Sequence, residues 1–157
     1  MAETRLVETV EEVKTLVGTE LGASPWMEVT QARVNQFADA TGDHQWIHVD
    51  EERAASGPFG GTIAHGFLTL SLTLLLARDI EGIKIDLHPR MGLNYGLNRL
   101  RFISPVPVGS RIRLRSKVVT VEEPTPDSVQ ITYGHTVEIE GAEKPALVSE
   151  WIGRYYL

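Results

Sequence analysis

A carboxylate and an imidazole in the polar segment 40–50 are the residues of this chain with the most evident chemical potential. Asp43 and His48 are separated by four residues, so both side chains could reach the same water molecule. An aspartate is ordinarily ionised at neutral pH and a histidine mostly neutral. Such a pair can take a proton from water and return one to a neighbouring atom. The spacing is also common by chance, and Asp43 equally suits a helix cap or turn, so spacing alone favours a structural role.

Metal binding is a second possibility for the same segment. His44 and His48 stand at i and i+4, which can place two imidazoles on one ion. The glutamate of a His-Glu-x-x-His helix is missing, and no third ligand is evident, so we expect no metal. The chain contains no cysteine, which excludes disulfides, thiolate metal sites and a cysteine nucleophile.

The glycine-containing stretch 60–66, which leads directly into the apolar stretch 67–77, is the second candidate feature. From 67 to 77 the only polar side chains are Thr69, Ser71 and Thr73. Leucine and alanine favour a helix there, although the alternation also permits a strand. A helix that is apolar on every side must be covered on every side. The glycines expose backbone N–H groups at its N-terminus, where the helix dipole favours negative charge.

Length and charge restrict the classes of function. The chain has 157 residues, and we expect one domain over 1–157. Its net charge of -6 argues against a nucleic-acid partner, because phosphate binding needs a basic surface. The N-terminus lacks the apolar core of a signal peptide, and the apolar stretch is too short for a membrane span. We therefore expect a cytoplasmic protein.

One stretch of the chain, 111–117, is basic although the chain as a whole is acidic. Arg111, Arg113, Arg115 and Lys117 alternate along a predicted strand, which places all four cations on one face. A solvated strand face accounts for this pattern. A site for the phosphates of an anionic ligand, formed chiefly by Arg111 and Arg113, is the alternative.

The order of the patterns predicts an α+β domain with its helices first and its antiparallel sheet second. From Met91 onward the pattern changes to period two, which predicts four strands joined by short turns. We expect the sheet to curl round the apolar helix, and two sheets to join edge to edge in a dimer. Helical patterns cover 10–17, 30–40, 50–55 and 67–77, and the predicted strands cover 93–103, 110–122, 128–140 and 146–156.

Three motifs in this order carry a family resemblance. The first, at 37–48, is Phe-Ala-Asp-Ala-Thr-Gly-Asp-His-Gln-Trp-Ile-His. The second, at 61–66, is Gly-Thr-Ile-Ala-His-Gly ahead of the apolar helix, and the third, at 94–109, begins Asn-Tyr-Gly-Leu-Asn and ends Pro-Val-Pro-Val-Gly. Together they resemble the MaoC-like, (R)-specific enoyl-CoA hydratase family. The most similar branch is the single-domain one, with nodulation protein N-like proteins and mycobacterial 3-hydroxyacyl-thioester dehydratases.

The resemblance implies a hotdog fold, an antiparallel sheet wrapped around a long central helix, assembled as a homodimer. It also implies a hydro-lyase that reversibly hydrates trans-2-enoyl thioesters of CoA or acyl carrier protein to (R)-3-hydroxyacyl thioesters. This chemistry belongs to fatty-acid and lipid metabolism and needs no metal or redox cofactor.

The resemblance assigns Asp43, His48 and Gly66 as catalytic residues. Asp43 and His48 would hold the water, and the Gly66 N–H would bind the negative charge that develops on the thioester oxygen. Gln45, His65 and Ser71 are the candidate substrate-binding residues. His65 is also expected to shape the turn that exposes the Gly66 N–H. The Ser71 hydroxyl is expected either to bond to His48 or, more simply, to bond back to its own helix.

One departure from the family pattern bears on substrate range and rate. Gln45 and Trp46 stand where the family usually has Asn and Pro, so a fixed φ is lost although the segment keeps its length. Two alternatives remain open at this stage. A hotdog thioesterase would usually carry an acidic residue on the central helix, and 67–77 contains none. A non-catalytic acyl-thioester-binding protein is the other.

Overall fold

The computed structural model describes residues 4–157, within which the chain forms eight β-strands and five α-helices. In chain order the elements are β1 (Arg5–Val7), α1 (Val10–Thr15), β2 (Glu20–Ala23), β3 (Met27–Glu28), α2 (Gln31–Thr41), α3 (Trp46–Val49), α4 (Glu51–Ala55), α5 (Gly66–Ala77), β4 (Glu81–Ile85), β5 (Met91–Phe102), β6 (Arg111–Thr125), β7 (Ser128–Ile139) and β8 (Leu147–Tyr156).

The strands form one sheet in the order β1-β4-β2-β6-β7-β8-β5, with β3 also paired to β6. The β1–β4 pair is parallel, and the other pairings are antiparallel. The inner face of the three long strands β6, β7 and β8 packs on α5. This arrangement is the hotdog fold that the sequence predicts.

Helix α5 is the centre of the main core, as its composition predicts. Leu68, Leu72 and Leu76 are spaced four residues apart and are all buried. They belong to the same core cluster as Ile112 and Leu114 of β6, which have no exposed surface. Burying one such side chain stabilises the fold by roughly 1.5–3 kcal/mol, so this stripe fixes the helix on the sheet.

The chain does not cover α5 on every side, contrary to the expectation from its composition. Phe67, in the first turn, is 66% exposed, and Leu75 is 38% exposed. These two side chains lie off the stripe that faces the sheet. In residues 4–157 no helix is both long enough and apolar enough to cross a membrane.

The long strands follow the sequence pattern, whereas the short ones do not. Strands β5 to β8 overlap the four predicted stretches, with differences at their ends. The sequence pattern does not predict β1, β2 or β4. It predicts a turn or loop at 21–25, and this is wrong for 21–23, which belong to β2. Each of these strands has only three to five residues and takes its place from its neighbours in the sheet rather than from a hydrophobic period.

The helix caps follow the sequence closely. The Thr30 hydroxyl accepts a hydrogen bond from the Arg33 N–H (3.2 Å) at the start of α2, and Gly42 ends this helix with a left-handed φ of 79°. The Asp50 carboxylate accepts from the Arg53 N–H (3.0 Å) at the start of α4. These contacts satisfy backbone groups that the helix itself leaves free. The sequence predicts all three caps, with Thr30 and Asp50 at the start of two helical patterns and Gly42 after the first, and the structure confirms them.

The four cations of β6 do share one face, but three of them are paired with carboxylates. The Arg111 Nε donates to Glu140 (2.6 Å), the Arg113 Nε to Glu138 (2.5 Å), and Arg115 bonds to Glu20. Cross-strand pairs of this kind neutralise the local positive charge. The geometry therefore favours the solvated strand face over a phosphate site at Arg111 and Arg113.

Strands β2 and β4 approach each other where two glycines oppose one another. Gly22 and Gly82 are register partners, with φ values of 130° and 136°. A Cβ on Gly82 would collide with the Leu21 carbonyl oxygen, and one on Gly22 with the Glu81 carbonyl oxygen. Both the φ angles and the lack of space exclude a side chain here. This crossing joins β4, and through it β1, to the rest of the sheet.

We expect Gly82→Ala to lower the free energy of unfolding by about 2–4 kcal/mol, from backbone strain and overpacking together. Gly18→Ala is the matched control, because Gly18 also has a positive φ (82°) but a Cβ there would meet no atom within 4 Å. Strain alone should cost the control about 1–2 kcal/mol. Urea unfolding of both variants measures the difference, and equal losses would contradict the role given to the crossing.

Candidate active site

Asp43 and His48 are positioned by a tight turn and a one-turn helix that follow α2. The left-handed Gly42 N–H donates to the Ala38 carbonyl, and the chain then leaves the helix axis. Asp43 lies in the exposed loop after this turn, and its carboxylate accepts from the Gln45 N–H at 3.4 Å. His48 lies in α3 and is 7% exposed. The pair therefore combines a solvent-accessible carboxylate with a buried imidazole.

A backbone carbonyl fixes the tautomer of His48. Its Nδ1 lies 2.7 Å from the Ile63 carbonyl oxygen. A carbonyl can only accept, so Nδ1 carries the hydrogen, and Nε2 of the neutral ring keeps its lone pair. The Ile63 N–H in turn donates to the Ile47 carbonyl (3.0 Å), which ties α3 to the segment before α5. His48 is thereby oriented as a proton acceptor.

His65 joins the other side of this arrangement. Its ring stacks on the His48 ring, with centroids 3.9 Å apart and planes inclined by 25°, and it also lies against Phe37 at 4.9 Å. Its Nε2 donates to the Asp43 backbone carbonyl at 2.9 Å. His65 is 2% exposed and precedes the first residue of α5. It therefore connects the Asp43 loop to the start of α5, in agreement with the structural role expected for it.

Three potential ligand groups meet at this point. A carboxylate oxygen of Asp43 and one ring nitrogen each of His48 and His65 all lie within 4.8 Å of one another. One nitrogen of each ring is already bonded to a backbone carbonyl. The stacked rings hold their remaining in-plane lone pairs in nearly parallel planes, whereas two imidazoles on one ion need lone pairs that converge at about 2.1 Å. The geometry favours proton transfer over metal binding.

Gly66 begins α5 directly beside these groups. As the first helical residue, it has an N–H with no partner inside its own helix. A Cβ at Gly66 would lie 3.0 Å from the ring of Phe102 on β5. The bare Cα therefore allows the Phe102 ring to pack against the helix start. This N–H and the helix dipole together suit a developing negative charge.

A cavity of about 320 Å³ opens at the meeting point of α3, α5 and β5. His48 and Gly66 line it, together with Phe67, Phe102 and Thr69. Thr69 is 2% exposed, and its buried hydroxyl has no hydrogen-bond partner within residues 4–157. Sequence reasoning missed Thr69 at this cavity. The available signal was its place three residues after Gly66 on an otherwise apolar helix, which puts both residues on one face.

Gln31 is a second residue that sequence reasoning missed. Its Nε2 donates to the His48 carbonyl (2.8 Å), and its Oε1 accepts from the Thr62 hydroxyl (2.6 Å). One side chain in the first turn of α2 thus holds both α3 and the segment that leads into α5. These bonds span 17 and 31 residues of sequence, and no local pattern in the sequence marks them.

Trp46 shows how the segment keeps its shape without the family's proline. It is the first residue of α3, and the Arg53 guanidinium lies 4.3 Å from its ring centroid. A Cβ at Gly57 would lie 3.1 Å from the same ring, so the glycine leaves room for the indole. The packing of the Trp46 ring against α4 and against the turn after it takes the place of the conformational restriction that a proline would supply.

The remaining candidates lie farther from the cavity. Gln45 is exposed and caps α3 without a side-chain cap bond, and it does not line the cavity beside His48. The Ser71 hydroxyl donates to the Phe67 carbonyl of its own helix (2.8 Å), in line with the simpler expectation. The substrate-binding roles of Gln45, His65 and Ser71 stay predictions. His44 points to Asp39 (2.8 Å), whose carboxylate raises the pKa of His44, and it takes no part in the cluster.

Comparison with known proteins places these features in a family. The model of the MaoC-like domain matches residues 12–139, a segment that includes Asp43, His48 and Gly66. The chain is 52% identical over 151 residues to 3-hydroxyacyl-thioester dehydratase Z of Mycobacterium tuberculosis, covering 96% of this chain and 98% of that protein. It is 51% identical over 142 residues to nodulation protein N of Rhizobium leguminosarum bv. viciae, covering 90% and 87%.

A solved structure supports the same assignment. The (R)-hydratase from A. caviae superposes with a TM-score of 0.67 at 25% sequence identity, over 85% of this chain and 95% of that one. The long central helix and the antiparallel sheet around it are therefore shared along most of both chains. The chain belongs to the MaoC-like domain family.

Proposed function

We propose that this protein is an (R)-specific enoyl-thioester hydratase, equally a 3-hydroxyacyl-thioester dehydratase. The observation that carries the proposal is the placement of three groups, two of which, on His48 and Gly66, line one cavity, while the third lies within 4.8 Å of a His48 ring nitrogen. These are the Asp43 carboxylate, the Nε2 lone pair of His48, and the N–H of Gly66 at the start of a buried helix. They supply a water-binding pair and an oxyanion donor, which the hydration of a conjugated thioester requires.

In the hydration direction, Asp43 and His48 hold one water molecule between them. The His48 Nε2 takes a proton from the water as its oxygen bonds to C3 of the enoyl thioester. The C2–C3 π electrons move toward the carbonyl and form an enolate. The His48 imidazolium then returns a proton to C2 from the same side, which restores the neutral ring and completes the syn addition. Asp43 orients the water and stabilises the imidazolium.

The enolate intermediate places negative charge on the thioester oxygen. The Gly66 N–H, at the positive end of α5, binds this oxygen where the charge develops. One donor of this kind typically lowers the barrier by about 3 kcal/mol. The buried hydroxyl of Thr69, on the same face of α5, lies in the wall of the same cavity. The reaction so described requires no metal or redox cofactor, and the thioester carrier is CoA or acyl carrier protein.

We also propose that the active form is a homodimer joined along β5. Among the described residues this strand ends the sheet, with a neighbour on the β8 side alone. Five of its long apolar side chains are between 40% and 55% exposed, a liability on a free strand edge. These side chains are Met91, Leu93, Tyr95, Leu97 and Phe102. A second copy would cover this edge and also the exposed Phe67 beside the cavity.

The first prediction concerns the proton-transfer pair. With crotonyl-CoA, the wild-type protein should remove the conjugated enoyl-thioester absorbance and yield (R)-3-hydroxybutyryl-CoA. Asp43→Asn and His48→Ala should each lower kcat/KM by roughly 10²–10⁴, the usual contribution of general acid–base catalysis. His44→Ala is the control, because its ring bonds to Asp39 outside the cluster. Release of free CoA would instead indicate a thioesterase.

The second prediction concerns the helix start. Gly66→Ala should lower kcat/KM for crotonyl-CoA by about tenfold or more, because its Cβ would push against Phe102 and displace the N–H from the oxyanion. The same substitution in a Phe102→Leu background should cost less than about threefold, since the smaller side chain gives way. An equal loss in both backgrounds would show that the ring contact does not position the donor.

The third prediction concerns the β5 edge. Leu97→Lys should convert the dimer to a monomer in sedimentation velocity and lower hydratase activity, because a charge there is costly to bury. Leu6→Lys is the matched control, since Leu6 is 49% exposed on β1 at the opposite edge of the sheet. A wild-type protein that sediments as a monomer, or a dimer unaffected by Leu97→Lys, would refute the β5 interface.

A further inference from the structure

A row of polar side chains crosses the inner face of the sheet, where apolar residues are the rule. Ser116 of β6 and Ser149 of β8 both lie directly opposite His135 of β7. All three are buried, with exposures of 2–5%. Their neighbours two residues along β7, Tyr133 and Val137, are also buried and face the same side. The row therefore points toward α5, not toward solvent.

Two atoms of this row are unsatisfied. Within residues 4–157 the Nδ1 of His135 and the hydroxyl oxygen of Ser149 have no hydrogen-bond partner. Buried polar groups in folded proteins are nearly always bonded, and an unbonded one costs stability. An apolar pair at these positions would pack without that cost. The fold therefore leaves hydrogen-bonding capacity in this row unused, and His135 and Ser116 line an adjoining cavity from which a bound molecule could approach.

Aromatic rings surround the row. The Trp151 ring stacks on Tyr133 (centroids 5.3 Å apart) and on His135 (5.7 Å). The hydroxyls of Tyr133 and Tyr155 lie 3.3 Å apart. Gly153 stands between the two β8 rings, and a Cβ there would collide with both, 2.9 Å from the Trp151 ring and 2.7 Å from the Tyr155 hydroxyl. The rings form an ordered wall with the imidazole at one end.

This wall lines one side of an open cavity of about 480 Å³ between the sheet and the C-terminal half of α5. His135, Trp151 and Leu74 line it. A second cavity of about 370 Å³ shares Leu74, Asn94 and Trp151 with it and continues along α5 to Leu70. The cavity beside His48 ends at Thr69, the preceding residue of the helix. The three cavities thus lie beside successive parts of α5, the first beside residues 66–69, the second beside 70–74 and the third beside 74–77. A path from His48 to His135 would run along the helix past all three.

The length of this path sets the length of the molecule that would fill it. Gly66 and Leu74 are eight residues apart, which is about 12 Å along an α-helix. An extended peptide advances ~3.5 Å per residue, and each residue has three backbone bonds, so an extended chain advances roughly 1.2 Å per bond. The path therefore accommodates about ten bonds beyond the thioester carbonyl.

We propose that His135 is a specificity-determining residue, which binds an oxygen substituent at the far end of an acyl chain of about ten carbons. The proposal rests on the hydratase function proposed above. The preferred substrates would be enoyl thioesters that carry a terminal hydroxyl or carbonyl oxygen, with Ser116 and Ser149 beside the imidazole. Their chain would lie along α5, and the oxygen at its end would meet the His135 imidazole, which lines the cavity.

The protonation state of His135 agrees with a neutral ligand. Burial lowers the pKa of His135 to about 4, so the imidazole is neutral at pH 7. A neutral imidazole offers one donor and one acceptor, which suits a hydroxyl group. It lacks the positive charge that would compensate a buried carboxylate.

The test compares two substrates that differ by one oxygen, trans-2-decenoyl-CoA and 10-hydroxy-trans-2-decenoyl-CoA. The wild-type kcat/KM for the hydroxylated substrate should equal or exceed that for the plain one, whereas an apolar cavity would reject the hydroxyl. His135→Leu should lower the ratio of the two values by roughly fivefold or more, the effect of one lost hydrogen bond. His135→Asn, which keeps a donor and an acceptor, should restore part of the ratio.

Thr136→Ala is the matched control, because Thr136 is the next residue of β7 and faces the other side of the sheet. It should leave the ratio as in wild type. A wild-type ratio below one, or a ratio that falls by less than twofold in His135→Leu, would overturn the proposal. Hydration of crotonyl-CoA with no hydration of either ten-carbon substrate would overturn it as well.

A failure of the proposed hydratase function can be distinguished from a failure of the His135 proposal. If the wild-type protein leaves crotonyl-CoA unchanged, calorimetric titration with 10-hydroxydecanoyl-CoA and decanoyl-CoA tests the His135 site without chemistry. Tighter binding of the hydroxylated ligand that is lost in His135→Leu would support the site, and equal binding of both ligands would overturn it.

Discussion

Two stacked imidazoles hold the geometry of the candidate active site together. His48 and His65 are each fixed by a hydrogen bond to a backbone carbonyl, at Ile63 and at Asp43 respectively. These two bonds and the 3.9 Å stack join the Asp43 loop, α3 and the start of α5 into one unit. Both rings are buried, so a lost bond would leave a polar atom unsatisfied. Because breaking either contact would be costly, Asp43 and His48 stay in fixed positions near the start of α5.

The position of this unit depends in turn on the packing of α5. A stripe of leucines fixes the helix on the inner face of the sheet, and the N-terminus of the helix therefore meets the loop at a defined place. Gly66 and Phe102 allow that close approach, because a Cβ on residue 66 would lie only 3.0 Å from the ring. Helix α5 thus packs in the core along one side and presents its N-terminus to the candidate active site. Its uncovered residues, Phe67 and Leu75, leave surface for a second copy.

The inner face of the sheet has two kinds of region, one that is apolar and one that contains unsatisfied polar atoms. Near Leu114 and Val137 the face is apolar and supplies stability. Near His135 the same strands carry polar atoms that lack partners within residues 4–157, beside a cavity that the rings of Tyr133 and Trp151 enclose. Such a site gives up stability that an apolar pair would have supplied. In the proposed mode of binding, an oxygen at the end of the acyl chain would restore that stability only in complexes with substrates of the right length.

Sequence alone determined the family, the central helix and the long strands, and it singled out Asp43, His48 and Gly66, because these features depend on local spacing and on motifs. The tertiary structure decided what local spacing cannot encode. The two hydrogen bonds of the Gln31 side chain span 17 and 31 residues of sequence. The polar row around His135 forms only when three strands pair in the correct register. The short strands, likewise, take their place from sheet neighbours. Contacts between distant segments depend on how the whole chain packs, and no short pattern records them.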